Sequence, residues 1–348
     1  MRVLFVTTPV IAHTYPLVTT AWALRAAGHD VLVATCGATA PRVARAGLAV
    51  TDTAPGLELG DVFRELAPGA NPFAVLAERM LPGVLAAGRP DAVVFTPHAY
   101  AGPRAAAEHG VPAVVHGLGL GPGLDQIRET YAGAGVAADF AAGIDVAPDS
   151  MRVGERLGWS ARYVPFNEGS VLPAWVREPA PRRRVLVTLG TTVPSMVGLA
   201  RLTPLWKTID AAADVDAEFV IALGDIDTTE LGELPPNVRV VPGWLPLIAL
   251  LRTCDAAVHH GGSGTLMAVL DAGLPQLVLP QGADQFANAE AVRKRGVGLV
   301  RTPDGLSAAA ITELLGDGDL RAAAAEVRAE LRALPAPSAL VDRLTGLV

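Results

Sequence analysis

The run His259-His260-Gly261-Gly262-Ser263-Gly264-Thr265 closes an apolar segment beginning at Asp255 and opens another with Leu266, Val269 and Leu270 on one helical face. A strand, a glycine turn and a helix in that order bring free backbone N–H groups and the positive end of a helix dipole toward an anion. Two phosphate motifs are excluded. The turn lacks the Gly-Lys-Ser/Thr ending of a nucleotide-hydrolysing loop. The first βα turn of the chain, Thr7 to His13, has no glycine and so no dinucleotide fingerprint. Upstream, Pro242-Gly243-Trp244-Leu245-Pro246 fixes an aromatic between prolines, suited to stacking on a nucleobase. Downstream, Pro280-Gln281-Gly282-Ala283-Asp284-Gln285 offers donors and acceptors for sugar hydroxyls. Base, diphosphate and sugar sites then follow in chain order. Alone, the glycine turn reads equally well as structural; its flanks favour the ligand.

A second candidate is His13, just past the first apolar run at the carboxyl end of a predicted strand. A neutral imidazole can take a proton near pH 7. A helix cap or a core residue is the alternative for a lone histidine.

The elements that must position these residues are β/α units. Strands are predicted at about 2–8, 29–35, 91–96 and 111–116, with helices at 14–27 and 99–109 between them. A second series has strands at 185–189, 217–223, 238–241, 256–259, 275–279 and 297–300. Its helices are predicted at about 197–213, 264–273, 283–294, 306–315 and 319–333, and a short one closes the chain at 337–346. The proline-rich stretch 167–183 separates the two series and reads as a linker. The expected fold is α/β: two doubly wound parallel-sheet domains, residues 1–166 and 184–348, facing across a cleft, with the last helix returning to the first domain.

With 348 residues and 51% hydrophobic content the chain can bury two cores. The net charge of −7 and the absence of a Lys/Arg block argue against nucleic acid or an anionic membrane as partner. No signal peptide and no apolar run of about 18 residues are evident, so a cytoplasmic location is expected. Cys36 and Cys254 lie far apart with no ligand-like neighbours, and no metal site is expected.

These residues carry a resemblance. The second half is similar to the donor domain of bacterial natural-product glycosyltransferases of the GT-B fold, relatives of macrolide, enediyne and aromatic-polyketide enzymes. The resemblance covers Arg184 to about Val300 and extends to His13-Thr14-Tyr15-Pro16-Leu17-Val18 and Ala21 to His29. It implies that Trp244 stacks on the donor base beside Leu245. It assigns the diphosphate to His260, Gly262, Ser263, Gly264, Thr265 and Thr191, and the sugar to Asp284 and Gln285. It makes His13 the catalytic base, and it implies a TDP-sugar or UDP-sugar donor with no prosthetic group and a small hydrophobic or aromatic aglycone as acceptor, O-linked or C-linked.

Two departures stand out. The carboxylate that orients the histidine in the family is replaced here by Pro97-His98. Asp125, after the next strand, is the candidate to support His13 or to act as base, with helix capping as its alternative. The first domain is also short, chiefly between Thr53 and Pro90 and between Tyr131 and Arg162. A minimal scaffold of this kind is compatible with a homodimer or an auxiliary protein partner. The leading expectation is an inverting transferase. The alternatives are a catalytically degenerate sugar-nucleotide-binding partner of another transferase, and an epimerase, which would need several carboxylates that the first domain does not offer.

Overall fold

The computed structural model describes residues 1–136, 139–191 and 198–348. The chain forms two compact units. The first comprises Met1–Ala147, Arg152–Phe166 and Ala333–Val348, and the second Pro148–Met151 with Asn167–Arg332.

The first unit is built on seven parallel strands: β1 (Arg2–Val6), β2 (Asp30–Thr35), β3 (Ala49–Asp52), β4 (Ala92–Phe95), β5 (Ala113–His116), β6 (Ala142–Asp145) and β7 (Trp159–Ser160). Their order is β3-β2-β1-β4-β5-β6-β7. Strands buried on both faces need continuous apolar runs, and β1 and β4 supply them as Val-Leu-Phe-Val and Ala-Val-Val-Phe. Leu4 pairs in register with Leu32 on one side and Val93 on the other. The order reverses between β1 and β4, so the crevice at their carboxyl ends is where an open α/β sheet takes a ligand. His13 follows β1 there, and His98 follows β4.

The second unit has six parallel strands: β8 (Arg184–Thr188), β9 (Glu218–Ile221), β10 (Val238–Val240), β11 (Ala256–His259), β12 (Gln276–Val278) and β13 (Gly298–Val300). Their order is β10-β9-β8-β11-β12-β13, reversing between β8 and β11. The carboxyl ends of that pair carry Gly190-Thr191 and the glycine loop.

The strands and helices that carry the candidate residues lie within a few positions of the sequence-based expectation. The helix expected over 197–213 is a short 3-10 turn, Leu199–Arg201, followed by an α-helix, Thr203–Ala212; residue 197 lies outside the described residues. Strands β3, β6 and β7 and the helices Leu59–Glu65 and Pro72–Ala86 were not anticipated. Each of those strands is too short to show a period, and β6 reads Ala-Gly-Ile-Asp. Residues 167–183, expected as a linker, cluster with the second unit. Val176 is buried in its core, and the Trp175 ring lies under the guanidinium of Arg184 at 5.3 Å and that of Arg239 at 4.9 Å. Among the described residues no helix is long and apolar enough to cross a membrane.

Candidate active site

His13 is the third residue of the helix Ile11–Ala26, whose first turn opens directly off β1. Its Nδ1 lies 2.7 Å from the Thr8 hydroxyl, and Thr8 is itself buried. The His98 ring stands 4.8 Å from the imidazole, and Phe73, from the helix Pro72–Ala86, stacks on His98 at 4.5 Å. Burial, and then the neighbouring His98, push the His13 pKa down to about 3. His13 is therefore neutral at pH 7. Asp125 lies in the first turn of the helix Leu124–Gly133, exposed and ion-paired to Arg128 at 3.0 Å. Among the described residues Thr8, His98 and Phe73 pack on His13, and none of these three is a carboxylate.

In the second unit, the helix Ser263–Ala272 starts at Gly262 with no side-chain cap. Its first-turn N–H groups at Ser263, Gly264 and Thr265 are left for an external acceptor. His259 fixes the turn: its Nδ1 accepts from the Gly261 N–H at 3.0 Å, so its Nε2–H donates to Gln276 Oε1 at 2.8 Å. His260 is wedged between glycines. A Cβ on Gly262 would lie 2.4 Å from His260 Nε2, and one on Gly190, where φ is +72°, would lie 2.9 Å from the same ring. Only glycine leaves that ring its place. Burial holds His260 at about 4 against the opposing pull of the Asp284 carboxylate and the Thr188 backbone.

Asp284 is exposed and tied to the loop. Its Oδ2 accepts from Ser263 Oγ at 2.8 Å and from Asn288 Nδ2 at 2.9 Å, and Asn288 Nδ2 also reaches the Gly261 carbonyl at 2.8 Å. Gln285 is buried, and its Oε1 accepts the backbone N–H groups of Gln281 at 2.8 Å and Gly282 at 3.3 Å, which shapes the loop. Trp244 is half-buried. Its Nε1 donates to the Asn167 carbonyl at 2.9 Å, while its ring edge, with Thr191, abuts Gly224. Leu245 lies in the unit core rather than on the surface. The described residues hold no group of three His, Cys, Asp or Glu able to bind a metal.

Residues 206–347 match the C-terminal domain of the erythromycin biosynthesis protein CIII-like family, and residues 22–80 and 73–190 match its N-terminal domain. The elloramycin glycosyltransferase ElmGT of Streptomyces olivaceus is 42% identical over 392 residues, covering 99% of this chain and 97% of the relative. The chain belongs to the bacterial natural-product glycosyltransferases. This glycosyltransferase has the GT-B fold of the solved SnogD from Streptomyces nogalater, with a TM-score of 0.84, 39% identity and coverage of 100% and 99% of the two chains. The spinosyn rhamnosyltransferase SpnG is similar at TM-scores of 0.83 complexed with thymidine diphosphate and 0.84 complexed with spinosyn aglycone, at 30% and 29% identity. Each SpnG comparison covers 99% of this chain and 100% of that one.

Three residues beside the candidates gave no signal in the sequence, and a fourth was read only as part of a loop. Thr8, Phe73 and Asn288 carry no motif, since only the fold brings them to His13 and the loop. Gln281 was seen as part of a polar loop, but its buried Nε2 has no partner among the described residues, which marks it as a donor awaiting an acceptor.

Histidines held neutral also set an acid limit on the fold. His13, His116, His259 and His260 have pKa values lowered to about 3, 4, 3 and 4 by burial. The unfolded chain takes up protons below pH 6.5 that the folded chain refuses. Their contribution to stability is therefore complete above that pH and is lost as pH falls toward 4. Thermal melting from pH 7 to pH 4 is expected to show a steep fall in Tm beginning near pH 6.5. A flat profile would contradict these values.

Proposed function

We propose that this glycosyltransferase moves a sugar from a thymidine or uridine diphosphate donor to a hydroxyl of a flat aromatic aglycone, with inversion at the anomeric carbon. The observation that carries the reading is the glycine loop, in which unclaimed N–H groups, His260 and the Asp284 to Ser263 link surround one position fit for a diphosphate. The likeness to SpnG complexed with thymidine diphosphate favours thymidine.

In the proposed reaction the acceptor oxygen attacks the anomeric carbon on the face opposite the diphosphate. The bond from that carbon to the diphosphate oxygen breaks, and the loop receives the leaving charge. The acceptor proton passes to His13 Nε2. An acceptor hydroxyl that is itself acidic asks least of a histidine whose pKa burial lowers. A phenol, near pKa 10 as in tyrosine, is favoured over an aliphatic alcohol. The Phe73 and His98 stack beside His13 adds a flat surface of matching shape.

The His13 ring must present a bare Nε2, which requires the proton on Nδ1 and hence a Thr8 hydroxyl that accepts. Thr8→Val removes that acceptor with little change in volume. We expect kcat to fall about tenfold, equivalent to about 1.4 kcal/mol, at unchanged donor KM. Equal kcat in the variant would remove Thr8 from the mechanism.

Mass spectrometry of reactions pairing TDP- and UDP-sugars with phenolic, enolic and alcoholic aglycones tests the proposal, and acid lability of the product distinguishes O- from C-linkage. A second reading, a non-catalytic sugar-nucleotide-binding partner, draws on the absence of a carboxylate against His13. Donor binding without transfer to any acceptor would support it and defeat the first.

A further inference from the structure

The helix Gly318–Ala333 carries Arg321, Arg328 and Arg332, seven and then four residues apart. At about 100° per residue these three side chains fall within a stripe about 40° wide. The acids of the same helix face elsewhere: Glu326 pairs with Arg295 at 2.6 Å, and Glu330 accepts from the Ser150 backbone at 2.9 Å. Positions a turn away along the stripe hold Ala324, Ala325 and Leu331, and Arg328 and Arg332 are themselves four apart, a repulsive pairing.

The stripe lines a cavity of about 350 Å³ that also takes in Arg252. Its other wall includes Asp255, just before β11, and Asp271 and Gly273 at the end of the helix Ser263–Ala272. The cavity thus sits at the amino ends of the strands, the opposite end of this sheet from the glycine loop. Among the described residues, none of the four arginines makes an ion pair with a carboxylate. Arg321 donates only to the Leu315 carbonyl, at 2.7 Å. The Arg328 stem lies over Gly273, where a Cβ would meet its Cδ at 2.7 Å, and its Nε is buried without a partner. Four guanidinium groups face two carboxylates in a chain whose net charge is −7.

We propose that this cavity binds a small oxyanion carrying two or more negative charges, a phosphate ester or a polycarboxylate. Guanidinium groups recognise both through paired N–H donors, and the volume is at the lower end for small-ligand pockets. The site is separate from the donor loop and does not depend on the reading of that loop.

Calorimetric titration of the whole protein with pyrophosphate, and separately with citrate, tests it. The Arg328→Gln/Arg332→Gln variant reports on the cavity, and His260→Ala reports on the glycine loop. We expect a binding event that the arginine double variant weakens by at least roughly fivefold and that His260→Ala leaves within about twofold. Arg252→Gln/Arg321→Gln, which changes only exposed side chains, should weaken the same event should the first variant fold poorly. Preference for pyrophosphate or for citrate identifies the class. The proposal is overturned when neither probe binds, when all binding follows His260, or when both arginine variants bind within fivefold of the parent.

Discussion

Replacing His13 by alanine is expected to lower kcat by about 10²- to 10⁴-fold, the range that a positioned general base contributes. Donor affinity should stay within about twofold, because the glycine loop is built entirely by residues of the second unit. The variant should fold, since the change removes one side-chain hydrogen bond, to Thr8, from the first turn of a helix that alanine favours. Single-turnover kinetics with a phenolic acceptor separate this step from product release. A loss smaller than threefold would remove His13 as the base and leave the acceptor's own acidity to account for turnover. With the His13 pKa held at about 3, its protonation should not limit activity above pH 5. His98→Asp, which restores a carboxylate beside the ring, should draw the acid limb of the pH profile upward.

Gly262→Ala should be nearly as damaging, but to donor binding. The new Cβ would stand 2.4 Å from His260 Nε2, closer than real Cβ contacts come. The ring or the loop must shift, and the first-turn N–H groups move with it. Charge-assisted hydrogen bonds contribute about 1.5–3 kcal/mol each, so the loss of even two is expected to weaken thymidine diphosphate by at least roughly 100-fold. Ser263→Ala, which removes only the hydroxyl donating to Asp284, is the milder comparison. Equal diphosphate affinity for Gly262→Ala and the parent would mean that the nucleotide sits elsewhere.

Much of this architecture was legible because parallel strands and glycine turns leave local marks. β1, β4, β8 and β11 are continuous apolar runs, and the loop between Val258 and Leu266 announces its turn by composition alone. The surroundings of His13 left no such mark. The place of His98 was legible only through the family resemblance, and Phe73 arrives from a distant helix whose own neighbourhood points to neither histidine. Leu245 shows the opposite difficulty. The family resemblance implied a place for it beside the donor base, and its burial with Leu250 and Val220 follows from packing that no spacing encodes. Asp125 stood on the expected side of its strand, yet an exposed helix turn with Arg128 within reach gave its carboxylate another partner.

Residues 333–348 belong to the first unit. They are held there by the Arg162 N–H on the Pro335 carbonyl at 2.7 Å and by the buried Leu340 and Leu344. The second unit is therefore an insertion within the first. During synthesis the first unit cannot complete its own core until the whole of the second has left the ribosome, while the second can close as soon as it emerges. The order of maturation reverses the order of the sequence, and a chain arrested or clipped before Leu340 should retain a folded second unit and an unfinished first one.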